Sequence, residues 1–214
     1  MIRNTVRLLF AVLFAAAPIT SAFGQGKIDP KDVDRFLDFL RSKTYSELLG
    51  QKAIENDEAL PPPCKQAREL VGRKLYLILK PPTFIASRDV PVDGEWAERV
   101  EIKRCGKITH QNVFFFAGRQ VGLRAVVGLP GTTITEVKTQ HAAGLAMLTA
   151  DKQRNPTCRT LEISNTELTA RPLQAGASWT ERWTVYACGK SITHTVEFTP
   201  DSQGVVSHAI DPPR

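Results

Sequence analysis

The stretch WTERWTVYACGK, residues 179–190, repeats the stretch WAERVEIKRCGK, residues 96–107, at an offset of 83 residues. A comparison without gaps between 96–120 and 179–203 finds nine identical positions out of twenty-five. The shared positions are Trp96/Trp179, Glu98/Glu181, Arg99/Arg182, Cys105/Cys188, Gly106/Gly189, Lys107/Lys190, Val113/Val196, Phe115/Phe198 and Gln120/Gln203. Agreement of this extent at a fixed spacing indicates an internal duplication.

Each copy predicts a β-hairpin with one apolar face. Gly-Lys suits a two-residue type II′ loop, since glycine readily adopts the positive φ that the first position needs. Strand alternation then places the bulky apolar side chains on one side of the hairpin. They are Trp96, Val100, Ile102, Val113 and Phe115 in the first copy, and Trp179, Trp183, Val185, Val196 and Phe198 in the second. A further strand is expected after each hairpin, over 121–127 and 205–210.

The predicted fold is mainly β, with two tandem antiparallel β-meander repeats at 61–128 and 156–214. A connector at 129–155 with a possible short helix joins them. We expect the two apolar faces to pack together into one shared core, as a sandwich or a distorted barrel, because one copy alone buries too little surface. Two separate units, each with its own core, are the alternative.

The segment 25–60 predicts an N-terminal amphipathic helix. Asp29 is a suitable N-cap and Pro30 a suitable first helical residue. Apolar residues then recur at helical spacing, at Val33, Phe36, Leu37 and Leu40. The first meander also has apolar residues on its opposite face, at Phe114 and Phe116, where the second meander has polar ones. We therefore expect the helix to cover these two rings.

Residues 1–24 have the pattern of a secretory signal peptide. Arg3 and Arg7 precede an apolar run at 8–17, and small residues follow. Cleavage is expected after Gly24, with Ala22 as the alternative. No later segment is apolar enough to predict a membrane span. We therefore expect a periplasmic or secreted protein.

The four cysteines predict two disulfides, because an even number of cysteines in an exported chain usually pairs. Cys105 and Cys188 are equivalent in the duplication, and Cys64 and Cys158 each precede one copy. The simplest pairing is one bridge in each repeat, Cys64–Cys105 and Cys158–Cys188. No metal site is predicted, since neither Cys-x2–4-Cys nor His-x3–5-His spacing occurs.

The composition predicts an ordinary globular domain and gives no indication of nucleic-acid binding. The formal net charge is +6, of which Arg3 and Arg7 of the signal peptide contribute two. No dense basic tract is present, so a nucleic-acid partner is not expected. No motif for a cofactor is found either.

Glu98, Glu181 and Trp179 are the candidate ligand-site residues. Both glutamates lie on the predicted apolar face, where a carboxylate needs a charged or hydrogen-bonding partner. They are expected either at the sheet rim, each held by an arginine of the neighbouring repeat, or as a pseudo-symmetric pair at a ligand groove or an acid–base site. No catalytic residue is assigned. His110 and His194 do not occupy equivalent positions, and no pair of histidines has ligand spacing.

The second copy resembles a group of exported proteins from Gram-negative bacteria that have no assigned activity. The residues that carry this resemblance are Trp179, Glu181, Trp183, Val185, Cys188, Gly189, Val196, Phe198 and Gly204. These proteins share a tandem hairpin of the form W-x-E-x-[VW]-x-[VI]-x-x-C-G, from which the first copy departs by having Val100 where the second has Trp183. The resemblance implies export and disulfides, and it implies no catalytic residue.

Two functions remain open from the sequence. The first is a non-catalytic exported module that binds a protein, a glycan or an envelope component. The second is a small exported hydrolase or ligand-binding enzyme that uses Glu98 and Glu181. The second function requires both carboxylates to converge in one accessible pocket.

Overall fold

The structure is a computed structural model, and it describes residues 28–174 and 176–211. The predicted signal peptide lies outside this part of the chain. The described residues form three helices and eight strands, which are α1 (Pro30–Arg41), α2 (Lys43–Ala59), β1 (Glu69–Thr83), β2 (Asp93–Arg104), β3 (Lys107–Gly118), β4 (Gly122–Val127), α3 (Val137–Arg154), β5 (Leu161–Ala170), β6 (Trp179–Ala187), β7 (Lys190–Pro200) and β8 (Val206–Ile210). None of these three helices combines the length and the apolar character that a membrane span requires.

The strands form two four-stranded antiparallel sheets, with the orders β1-β2-β3-β4 and β5-β6-β7-β8. The mainly β prediction and the two meanders are therefore correct. Neither sheet closes into a barrel, so that part of the prediction is wrong.

The hairpin turn differs from the predicted one by one residue. Arg104 pairs with Lys107, which leaves Cys105 and Gly106 as the two-residue loop. Both loop residues have positive φ, at 45° and 77°, as a type I′ turn requires. The second hairpin has the same geometry at Cys188–Gly189. The strand register consequently shifts by two residues, and a shift of two leaves every side chain on its predicted face.

Each apolar sheet face packs against helices, so the predicted shared core is wrong. Trp96 and Phe115 lie in one cluster with Phe36 of α1 and Tyr45 of α2. The face of the second sheet that carries Trp179, Trp183 and Phe198 forms a separate cluster with Ala143 and Met147 of α3. A helix supplies the apolar partner that each half-covered sheet needs.

The two halves of the described chain correspond in their helices as well as in their sheets. We use "first repeat" for α2 with β1–β4, and "second repeat" for α3 with β5–β8. At an offset of 94 residues, the end of α2 matches the end of α3, with the identities Gly50/Gly144, Asp57/Asp151, Pro62/Pro156 and Cys64/Cys158. A Cβ on Gly50 would lie 3.1 Å from Leu70, and one on Gly144 would lie 3.1 Å from Ile163. The two glycines thus allow the same close approach of helix to sheet.

The second face of the first sheet is covered by the start of the second repeat and not by the N-terminal helix. Phe114 is fully buried and clusters with Leu77, Ala97 and Val137 of α3. Helices α1 and α2 lie on the opposite, Trp96 face. The expected placement of the N-terminal helix over Phe114 and Phe116 is therefore wrong.

The connector between the repeats binds both sheets. Thr166 of β5 donates its N–H to Pro130 O at 2.8 Å, and Thr132 N–H donates to Thr166 O at 2.7 Å. Asn112 of β3 donates its side-chain amide to Leu129 O at 2.7 Å. The outer face of the second sheet instead carries exposed polar side chains such as Glu197. The repeats thus stack in tandem, and this explains why only the first sheet is apolar on both faces.

Two disulfides join the predicted cysteines. Cys64 is bonded to Cys105 and Cys158 to Cys188, and each bond ties the segment after the helix to the tip of the hairpin. Such bonds fit an oxidising compartment.

Candidate functional site

Glu98 lies inside the core of the first repeat, with 3% of its surface exposed. Tyr45 Oη donates to Glu98 Oε1 at 2.6 Å, and Trp96 Nε1 donates to Tyr45 Oη at 3.0 Å. Arg73 Nε is 3.9 Å from Glu98 Oε2. Burial raises the pKa of the Glu98 carboxyl, while Tyr45 and Arg73 act in the opposite direction. Glu98 is therefore a buried acceptor for a side chain of α2 and does not lie at the sheet rim.

We expect Glu98→Gln to change the pH dependence of stability. The folded pKa of Glu98 is raised above its ordinary value of 4.5. Protonated Glu98 therefore stabilises the folded state fully below pH 4.5, the ordinary pKa of the unfolded chain. This stabilisation is lost as the pH rises through the raised pKa of the folded state. Glutamine keeps an oxygen for Tyr45 but does not titrate. The unfolding free energy of the wild type relative to this variant should fall between mildly acidic and neutral pH, as measured by urea unfolding. A difference that grows with pH would show instead that Arg73 controls the carboxyl.

Glu181 is fully buried in the second repeat and accepts four hydrogen bonds. Trp179 Nε1 donates to Oε1 at 3.0 Å and Trp183 Nε1 to Oε2 at 2.8 Å. The connector supplies the other two donors, Thr133 Oγ1 at 3.1 Å and Ile134 N–H at 3.2 Å. Glu181 therefore joins the second sheet to the segment that leads into α3.

Trp179, the third candidate ligand-site residue, is part of the core of the second repeat. It is 3% exposed, and its ring stacks on Phe198 with 5.2 Å between centroids and 21° between planes. Glu98, Glu181 and Trp179 are thus all buried. The structure does not bring the two carboxylates together, since each lies in the core of its own repeat.

A second pair of buried carboxylates, Asp57 and Asp151, was not predicted from the sequence. Asp57 of α2 accepts from Arg68 Nε at 3.1 Å and from Gln111 Nε2 at 3.2 Å. The equivalent Asp151 of α3 lies 2.8 Å from His194 Nε2, and His194 occupies the position that Gln111 has in the first repeat. Each aspartate thus anchors the end of a helix to the third strand of its sheet. The repeated spacing G-x6-D-x6-C was the signal that could have revealed it.

The histidines and acidic residues do not form a metal site. His194 is buried against Asp151 in the second repeat. His110 lies in the first sheet, on the face opposite Trp96, with its Nε2 atom 3.8 Å from Glu101 Oε1. No group of three or more His, Cys, Asp or Glu side chains with metal-binding geometry occurs among residues 28–174 and 176–211.

A groove of about 700 Å³ opens in the first repeat, and we call it the first groove. Helices α1 and α2, the loop 84–92 and the start of β4 surround it. Its apolar lining is formed by Phe39, Tyr45, Leu48, Val90 and Leu123, and its charged groups are Arg35, Asp38 and Asp89. The groove thus combines an apolar floor with three charged side chains.

A more open groove of about 460 Å³, the second groove, lies at the matching place in the second repeat. Helix α3 and the start of β8 form it. Under the helix offset of 94 and the hairpin offset of 83, four lining positions correspond, namely Thr44/Lys138, Tyr45/Thr139, Leu48/Ala142 and Leu123/Val206. The two grooves are therefore equivalent features of the duplicated unit.

The first groove is enlarged by segments that the second repeat lacks. Helix α1 has no helical counterpart before α3. The disulfide loop of the first repeat spans 41 residues against 30 in the second. Most of the extra length lies in β1 and β2, which have 15 and 12 residues against 10 and 9 in β5 and β6, so the hairpin that ends in the loop 84–92 is longer than its counterpart. Arg35 of α1 joins the two additions, since its Nη2 donates to Ile85 O at 3.0 Å and to Arg88 O at 2.8 Å. Both additions meet at the first groove.

No family model, curated protein or solved structure matches the chain in the three comparisons made. The geometry of the grooves is therefore the basis for assigning a function.

Proposed function

We propose that the chain is a non-catalytic, exported binding module of the periplasm or the extracellular space, and that its ligand site is the first groove. The observation that carries this proposal is the convergence of α1 and the loop 84–92 on that groove. Export and the W-x-E hairpin family are part of the proposal, and the two disulfides support export.

The contrast between the repeats supports a binding role for the additions. Phe36 and Leu40 of α1 complete the first core, but Arg35 and Asp38 of the same helix line the groove. The core of the second repeat is complete without a helix like α1. Arg35 holds the loop to α1, so Asp38 and Asp89 are the charged side chains of the groove that are open to a ligand.

The alternative function as an acid–base hydrolase has less support. It needs two carboxylates that share one accessible pocket, and Glu98 and Glu181 are 3% and 0% exposed in separate cores. Both carboxylates already accept hydrogen bonds from aromatic side chains of their own repeat.

A charged side chain placed in the first groove should abolish binding. Val90 is 42% exposed and lines the groove, so Val90→Arg should fold normally while it blocks the site. Ser207→Arg, at an exposed position in the second groove, is the matched control. Immobilised wild type and both variants are incubated with envelope extract, and the bound components are quantified by mass spectrometry. We expect a component that Val90→Arg loses by roughly tenfold or more and that Ser207→Arg retains. Identical bound components from all three proteins would contradict the proposal.

A further inference from the structure

We infer that the first groove takes an extended peptide segment of a partner protein, which pairs with the free edge of β4 and directs an apolar side chain and, two residues along, a basic side chain into the groove. This inference rests on the proposed function and names the class of ligand.

The two edges of the first sheet differ in how well they are protected. Strand β1 has four register shifts against β2 and contains Pro81 and Pro82, which are features that block the addition of another strand. Strand β4 has an unbroken register against β3, from Gly122 to Val127. No backbone hydrogen bond joins its other edge to any residue that the structure describes. Strand β4 is therefore the edge that is open to an incoming strand.

The open edge and the first groove share a residue. Leu123 is the second residue of β4 and also lines the groove, across from Tyr45 and Leu48 of α2. Side chains of a strand alternate between its two faces. A peptide paired with the start of β4 would therefore direct alternate side chains into the groove. This is the usual arrangement in β-strand addition, in which backbone bonds give affinity and a pocket gives specificity.

The three charged side chains that line the groove are one cation, Arg35, and two anions, Asp38 and Asp89, so their formal net charge is −1. The Nη2 atom of Arg35 is directed to the loop, where it donates to two carbonyl oxygens. Asp38 has an exposed side chain, with Oδ1 3.6 Å from Nη1 of Arg41. Asp89 is exposed and forms no ion pair within the described ranges. An apolar residue followed two positions later by lysine or arginine therefore matches both the apolar lining and the charge of the rim.

The probe for this inference is a library of capped synthetic peptides, Ser-Thr-X-Thr-Z-Ser, in which X and Z vary over all residues except cysteine and lie on the same side of the strand. The library is selected on the immobilised full exported chain. We expect aromatic or long aliphatic residues at X and lysine or arginine at Z. Methylation of alternate backbone nitrogens in the best peptide should weaken binding by roughly tenfold, because it removes hydrogen bonds to β4.

Matched variants test the charge and the place of binding. Asp38→Asn combined with Asp89→Asn should weaken the best peptide by roughly threefold to tenfold. Asp34→Asn, at an exposed position of α1 that does not line the groove, should leave its affinity unchanged. Selection of acidic residues, equal binding of the methylated peptide, or binding that survives Val90→Arg would overturn the inference. If no peptide is selected while the captured envelope component still depends on Val90, the peptide inference fails and the proposed function stands. If neither is observed, both fail.

Discussion

Replacement of Trp183 by alanine should lower the free energy of unfolding of the second repeat by about 3–5 kcal/mol. The side chain is fully buried, its ring lies 5.8 Å from that of Phe198, and its indole N–H donates to Glu181. The loss is a large share of the roughly 5–15 kcal/mol that stabilises an ordinary domain. Because the two repeats have separate cores, the first repeat should keep most of its stability.

Hydrogen exchange, read separately over 96–116 and 179–198, measures this outcome. Protection should fall in the second segment and persist in the first. Val100→Ala at the equivalent position of the first repeat is the matched control, and it should affect mainly the first segment. Equal loss of protection in both segments after Trp183→Ala would show that the two repeats unfold as one unit.

Glu181→Leu should have an effect of similar size, about 3–5 kcal/mol. The change removes the carboxylate that accepts from both indole N–H groups, the Thr133 hydroxyl and the Ile134 N–H, and of these the Thr133 hydroxyl keeps Thr135 Oγ1 as a partner at 2.6 Å. Each buried donor without a partner costs about 1–3 kcal/mol, and relaxation of the neighbours reduces the sum.

Glu181→Gln is the control, since it keeps one acceptor oxygen and should cost clearly less. Urea unfolding gives the free energies, and exchange of the Ile134 amide reports on the connector, which should loosen only in the leucine variant. A Glu181→Leu variant as stable as the wild type would contradict this prediction. It would show that the desolvation penalty of the buried carboxylate offsets its hydrogen bonds.

The sheet faces and the disulfides could be predicted from the sequence because both depend on local pattern. Alternation puts Trp96 and Phe115 on one face for any even change in register. The predicted faces were therefore correct although the predicted turn was one residue away from the observed one. The cysteine pairing followed from the duplication, since each repeat contains one cysteine at the hairpin and one before it.

The role of the helices could not be read from the same comparison. The helix and hairpin offsets differ by eleven residues, so a comparison without gaps from Trp96 never reaches Gly50, Asp57 and Cys64. Without the matching helices, the sequence favoured a shared core over two separate units. The structure shows that each face has a helix of its own.

The candidate site was predicted only in part. The sequence indicated that Glu98 and Glu181 need partners, and both have them. The donors Tyr45 and Thr133 lie about fifty residues away in the chain, at separations of 53 and 48, so local pattern could not identify them. The first groove was not predicted, because it forms where α1, the loop 84–92 and β4 meet in space.

Photo-crosslinking in the producing cell tests the central claim most directly. Benzoylphenylalanine is placed at Val90 in the first groove or at Ser207 in the second, two exposed positions where the bulky side chain is tolerated. The account predicts a discrete crosslinked partner from position 90, with the crosslinked peptide mapping to an extended segment, and no such product from position 207. No product from position 90, or the same product from both positions, would contradict it.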